Sequence, residues 1–87
     1  MSENYSETDR ELLRRVGMIL RQHRHSCGLT QEQVAEMACL NVTYLSDVER
    51  GKRNISLINL ARLAYAFGLP LEDIFLTDAI EARGKNS

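Results

Sequence analysis

The sequence predicts an all-α protein folded as one compact five-helix domain. Three observations carry that prediction. Ser/Thr-x-x-Glu/Gln capping boxes stand at Thr8–Glu11 and Thr30–Gln33, with further N-cap residues at Asn41 and Ser56. After each of them apolar residues recur at three- and four-residue spacing, the period of a helix face and not of a strand. Gly28, Gly51 and Gly68 close the segments, and Pro70 is placed to open the last.

Residues 1–7 carry no periodic apolar pattern and read as a mobile arm. The first helix follows Thr8 and runs to about Ser26, with an inward stripe of Leu13, Val16, Gly17, Leu20 and His23, widened by Leu12 and Ile19. The second starts at Gln31 and turns the small residues Val34, Ala35 and Ala38 inward, so another helix can approach closely. After the break at Leu40-Asn41, the third places Leu45 and Val48 on one face, and Val42, Thr43, Ser46 and Asp47 opposite. Ser56 caps a fourth helix, Leu57–Phe67, with the stripe Leu57, Leu60, Ala61 and Ala64. A fifth begins at Pro70 and contains Leu71, Ile74 and Phe75; the domain spans 8–76, and the tail 77–87 starts as a short helix through Ala82.

Ile58, Tyr65, Phe67, Leu69, Leu71, Phe75 and Leu76 exceed what one small core can bury, which implies a partner surface. Isologous pairing of two copies covers such a patch on both at once, so Ile58, Tyr65, Leu69, Leu71 and Phe75 are the expected contacts of a homodimer.

A short helix, a tight turn, a second helix with a small polar outer face and a basic exit is the layout of a helix-turn-helix in a DNA major groove. Thr30-Gln31-Glu32-Gln33-Val34-Ala35, Tyr44–Gly51 and Arg53-Asn54 resemble the Cro and phage-repressor (XRE-like) helix-turn-helix family, over roughly Gly17 to Phe75. Within that family Thr43-Tyr44-Leu45 and the run Glu49–Leu57 are most similar to controller proteins of restriction-modification systems. The resemblance implies a lambda-repressor-like fold with helices 2 and 3 as the helix-turn-helix. It implies a sequence-specific transcriptional regulator of double-stranded DNA, a homodimer on a palindromic operator, and an ion pair between Arg24 and Glu49 that ties the first helix to the third. An antitoxin or phage-type repressor, binding DNA and a protein partner, is the alternative that shares this pattern.

The chemistry of the side chains assigns roles within that reading. Val42, Thr43, Ser46 and Asp47 face the bases, the methyls of Val42 and Thr43 suiting thymine and the Asp47 carboxylate accepting from cytosine N4; the alternative is a Val42 that packs and an Asp47 that caps or pairs. Thr30 and Gln31, at a helix N-terminus, together with Tyr44, Arg50, Lys52, Arg53 and Asn54, face phosphates. Controller proteins often carry arginine where this chain has Val42; without that guanine contact, specificity leans on methyl contacts and DNA shape.

Composition sets the remaining bounds. The net charge of −1 hides an uneven distribution: from Arg10 to Arg62 there are nine Lys/Arg against five Asp/Glu, while acids gather at both ends. A local cationic surface suffices for phosphates. No apolar run approaches the roughly 20 residues of a membrane span, and the polar start lacks a signal-peptide core, so a cytoplasmic protein without membrane contact is expected. Cys27 and Cys39 read as reduced thiols. His23 and His25 point about 200° apart on one helix and cannot share a metal ion; His23 reads as a packed core residue. No nucleophile–base pair or phosphate loop suggests an enzyme, no cofactor is implied, and no second domain offers an effector site. Glu72 and Asp73 read as a solvated acidic face, with RNA polymerase as the partner such a surface would serve.

Overall fold

Four α-helices and one 3-10 helix make up residues 4–76, the part of the chain that the computed structural model describes: α1 Glu7–Ser26, α2 Gln31–Ala38, α3 Val42–Glu49, α4 Leu57–Phe67 and the 3-10 helix Leu71–Phe75. Residues 1–3 of the arm and the whole tail of the sequence reading, including the helix through Ala82, lie outside the described residues.

The fifth helix is thus corrected to a single 3-10 segment. Pro70 precedes it in extended conformation, no side chain caps it, and its bonds run from Asp73 N–H to the Pro70 carbonyl and from Leu76 N–H to that of Asp73. Five residues after an extended proline leave too little chain for a ladder of i→i−4 bonds. The start of α1 also moves, to Ser6, whose hydroxyl accepts from Asp9 N–H at 3.1 Å while the Asp9 carboxylate accepts from Ser6 N–H at 3.1 Å. Thr8 lies inside the helix. Aspartate performs at the third helical position what glutamate does in the usual capping box.

The core is filled by Leu20, Val34, Leu45, Leu63 and Ile74, all fully buried, and by His23. His23 Nε2–H donates to the Ile74 carbonyl at 2.7 Å and its ring stacks on Phe67, so it joins α1 to the end of the domain. A carbonyl can only accept, which fixes a proton on Nε2. Gly17 lets α1 meet α3 backbone to backbone: a Cβ there would lie 2.5 Å from the Val48 carbonyl oxygen and 2.6 Å from that of Glu49.

The α4 stripe is rotated from its expected position. Leu60, Leu63, Ala64, Ala66 and Phe67 are buried, whereas Leu57 and Ala61 face outward. A helix apolar nearly all round gives the period no polar edge to lock on. Leu12 is likewise exposed.

All four α-helices end in the same pair of bonds, a 6→1 and a 5→2 hydrogen bond around one left-handed residue. That residue is Gly28, Gly51 or Gly68 in three of them; in α2 it is Cys39, at φ 57°.

Candidate nucleic-acid interface

The α2–α3 unit is held from behind by Val34, Ala35 and Ala38 on one helix and Leu45, Val48 and Glu49 on the other, all buried. Thr30 caps α2 through a reciprocal box with Gln33. Asn41 Oδ1 accepts from the backbone N–H groups of Thr43 at 2.8 Å and Tyr44 at 3.2 Å, and so fixes where α3 begins.

With the inner side of α3 committed, Val42 and Thr43 are exposed at its first turn and Ser46 and Asp47 half-exposed at its second. These four therefore share one face. Asp47 is engaged on it: Arg50 donates to its carboxylate at 2.7 Å. Two residues given separate tasks in the sequence, base and phosphate, thus form one neutralised unit. Beyond Gly51, Lys52, Arg53 and Asn54 are all exposed. The Arg53 guanidinium lies 5.1 Å over the Tyr44 ring, and the Tyr44 hydroxyl accepts from Asn59 Nδ2 at 3.2 Å. Tyr44 therefore braces the basic exit loop against the start of α4; Asn59 carried no sequence signal for this.

Arg24 and Glu49 lie behind the face. Arg24 Nε donates to Glu49 Oε2 at 2.7 Å and a terminal guanidinium nitrogen to Oε1 at 2.9 Å, a two-pronged pair with side chains 10 % and 3 % exposed. The remaining guanidinium nitrogen donates to the Leu29 carbonyl at 3.0 Å. The bonds to Glu49 raise the Arg24 guanidinium above its ordinary value against the opposing effect of burial, so it is charged at every working pH. Gln31 turns inward as the third member, donating to Glu49 Oε1 at 3.1 Å. One of the two N–H groups of its side-chain amide is thus committed to Glu49.

Of the expected dimer contacts, Ile58 and Tyr65 are exposed on α4 and Phe75 on the 3-10 helix, while Leu69 and Leu71 pack partly against the core. Phe67 is buried. Ile58, Ala61 and Tyr65 line an open apolar groove with Met37, Cys39 and Arg62. Among the described residues no three His, Cys, Asp or Glu side chains converge as a metal site, and no helix is long and apolar enough to cross a membrane.

Residues 20–74 match the helix-turn-helix family HTH_3. The chain belongs to the helix-turn-helix family. Relatives in this family include the control protein C.MunI of a Mycoplasma species, 43 % identical over 52 residues that cover 60 % of this chain and 70 % of the relative. The control protein C.BamHI of Bacillus amyloliquefaciens is 41 % identical over 59 residues, 67 % of this chain and 73 % of the relative. The crystal structure of the restriction-modification controller protein C.AhdI from Aeromonas hydrophila superposes with a TM-score of 0.73 at 38 % identity, over 75 % of this chain and 98 % of that one. This helix-turn-helix protein is a DNA-binding transcriptional regulator, as its family and relatives show.

Proposed function

We propose that the protein is the controller of a restriction-modification system, acting as a homodimer on a palindromic operator. The observation that carries this reading is the exposed apolar outer side of α4, next to a helix-turn-helix whose relatives include such controllers. Ile58 and Tyr65 are the contacts nearest its centre, with Phe75 at the end of the domain. Leu69 and Leu71, half-committed to the core, support that surface from beneath.

In the dimer two α3 helices enter successive major grooves about 34 Å apart. Val42 and Thr43 present methyls to thymine, Ser46 contributes a hydroxyl, and Asp47, its charge balanced by Arg50, accepts from a base amine. Lys52, Arg53 and Asn54, with the backbone at Thr30 and Gln31, follow the phosphates and set the register. Regulation is then by concentration: dimer formation and operator occupancy rise together as the protein accumulates. Selection of bound sequences from a random duplex library tests this. The expected product is a two-fold symmetric motif with half-sites one or two helical turns apart, and a single asymmetric site would refute the reading.

A further inference from the structure

Between α1 and the α2–α3 unit lies a cleft of about 260 Å³ lined by Arg21, Arg24, Gln31, Ser46, Glu49 and Arg50. Its charges are unbalanced. Arg24 and Glu49 neutralise each other, and Arg50 is matched by Asp47. Arg21 is exposed and makes no ion pair or hydrogen bond with any described residue. It stands three residues before Arg24, so the two rise from the same side of α1, one turned into the protein and the other left at the cleft. No ion pair or hydrogen bond among the described residues uses Arg21. The sole carboxylate lining the cleft already accepts from both Arg24 and Gln31, so the ligand class that suits the place is an anion. Ser46 belongs to the outer face of α3 and Gln31 opens α2, which makes the cleft continuous with the DNA-facing surface.

We propose that this cleft seats one phosphate of the DNA backbone and that Arg21 is its ligand, a contact supplied by α1 from outside the helix-turn-helix. The proposal rests on the protein's binding of duplex DNA, but on neither the dimer nor the controller assignment. Its consequence is a division of labour along one turn of α1: Arg24 holds the recognition helix from within, and Arg21 holds the DNA strand from without.

A phosphate contact is independent of sequence, so a 30-base-pair duplex of random sequence is a sufficient probe. Binding by fluorescence anisotropy is followed from 50 to 200 mM salt for the wild type, for Arg21→Gln and for Arg15→Gln. Arg15 sits in an acid-rich groove with Glu7, Asp9 and Glu11, about 120° around α1 from Arg21. Loss of one phosphate contact lowers the slope of log K against log salt by about 0.9 for each chain bound, so the affinity lost over that range should be about 3.5-fold smaller per bound chain for Arg21→Gln than for the wild type. Arg15→Gln should keep the wild-type slope, and all three should share one thermal midpoint. On a duplex that carries a preferred site recovered by selection, which fixes the register, one methylphosphonate at each backbone position in turn should show a phosphate whose neutralisation weakens the wild type but not Arg21→Gln. An unchanged slope in Arg21→Gln overturns the proposal. So does competition by inorganic phosphate, beyond that of chloride at equal ionic strength, that depends on Arg21 while the slope does not; the cleft would then serve free phosphate. Failure of the wild type to bind any duplex would instead strike at the DNA-binding reading itself.

Discussion

The inner side of α3 and the outer side of α4 are held to opposite rules. Behind α3, Gly17 admits backbone contact, Arg24 grips Glu49 with two bonds, and Gln31 adds a second donor to Glu49 Oε1. On α4, Leu57, Ile58 and Tyr65 stand 69 %, 67 % and 79 % exposed with no element of the described residues above them. A recognition helix must keep one orientation whether or not DNA is bound, so its support is polar, directional and intolerant of sliding. The association surface proposed on α4 must be able to come apart, and undirected apolar area is suited to that. Substitutions on the two sides should therefore fail in different ways.

The largest effect is expected at the buried pair. Arg24→Ala leaves the Glu49 carboxylate buried with Gln31 as its one side-chain donor, a loss of about 3–5 kcal/mol against a total of roughly 5–15 for a domain of this kind. Chemical denaturation followed by circular dichroism measures it. A loss under about 1 kcal/mol would mean that the pair is solvated and that α3 is held by apolar packing alone. Gly17→Ala should follow at about 3 kcal/mol, near the top of the range for overpacking, because the obstructing atoms are backbone carbonyls that no rotamer change can move. A thermal midpoint lowered by less than about 4 °C would show that α1 and α3 can part to admit the methyl.

These two sites also show what the sequence could and could not convey. The Arg24–Glu49 pair was visible only through resemblance, since two charges 25 residues apart carry no local signal. Gly17 was legible as a stripe position, but not that its missing side chain is the reason α3 fits. Three of the four caps were legible because the side chain acts within three residues: Thr30, Asn41 and Ser56 all behave as their chemistry dictates. Ser6 escaped because its reciprocal partner is an aspartate. The α4 face was misread because a helix apolar on most sides has no unique stripe, and only the position of α2 decides which side is covered. The Asp47–Arg50 pair was within reach, being three apart on a helix, and a paired Asp47 is the alternative that its sequence position leaves open beside base reading.

A smaller effect, and of opposite sign, is expected in the turn between α2 and α3. Cys39 occupies the left-handed position that glycine fills at the other three helix ends. A side chain there costs roughly 1–2 kcal/mol, and glycine returns about 0.5–1 of that through its freer unfolded chain. Cys39→Gly should therefore stabilise the domain by about 0.5–1 kcal/mol, a rise of about 2–8 °C in the thermal midpoint. No rise would mean that the thiol's contacts along the α4 groove offset the strain.

The smallest effect on folding, and the one that separates the two regions most sharply, belongs to Ile58→Gln and Tyr65→Gln. Both side chains are mostly in solvent, so at concentrations where the protein is monomeric each change should shift stability by no more than about 0.5 kcal/mol. At tens of micromolar, sedimentation equilibrium should give twice the chain mass for the wild type and the single-chain mass for the double variant. DNA binding should then lose its steep dependence on protein concentration while the salt dependence per chain persists, because the phosphate-facing residues are untouched. A wild type that sediments as one chain at that concentration, or a double variant that still sediments as two, would remove this face from the interface. The exposed Phe75 and Leu76 would then be the next apolar surface to test.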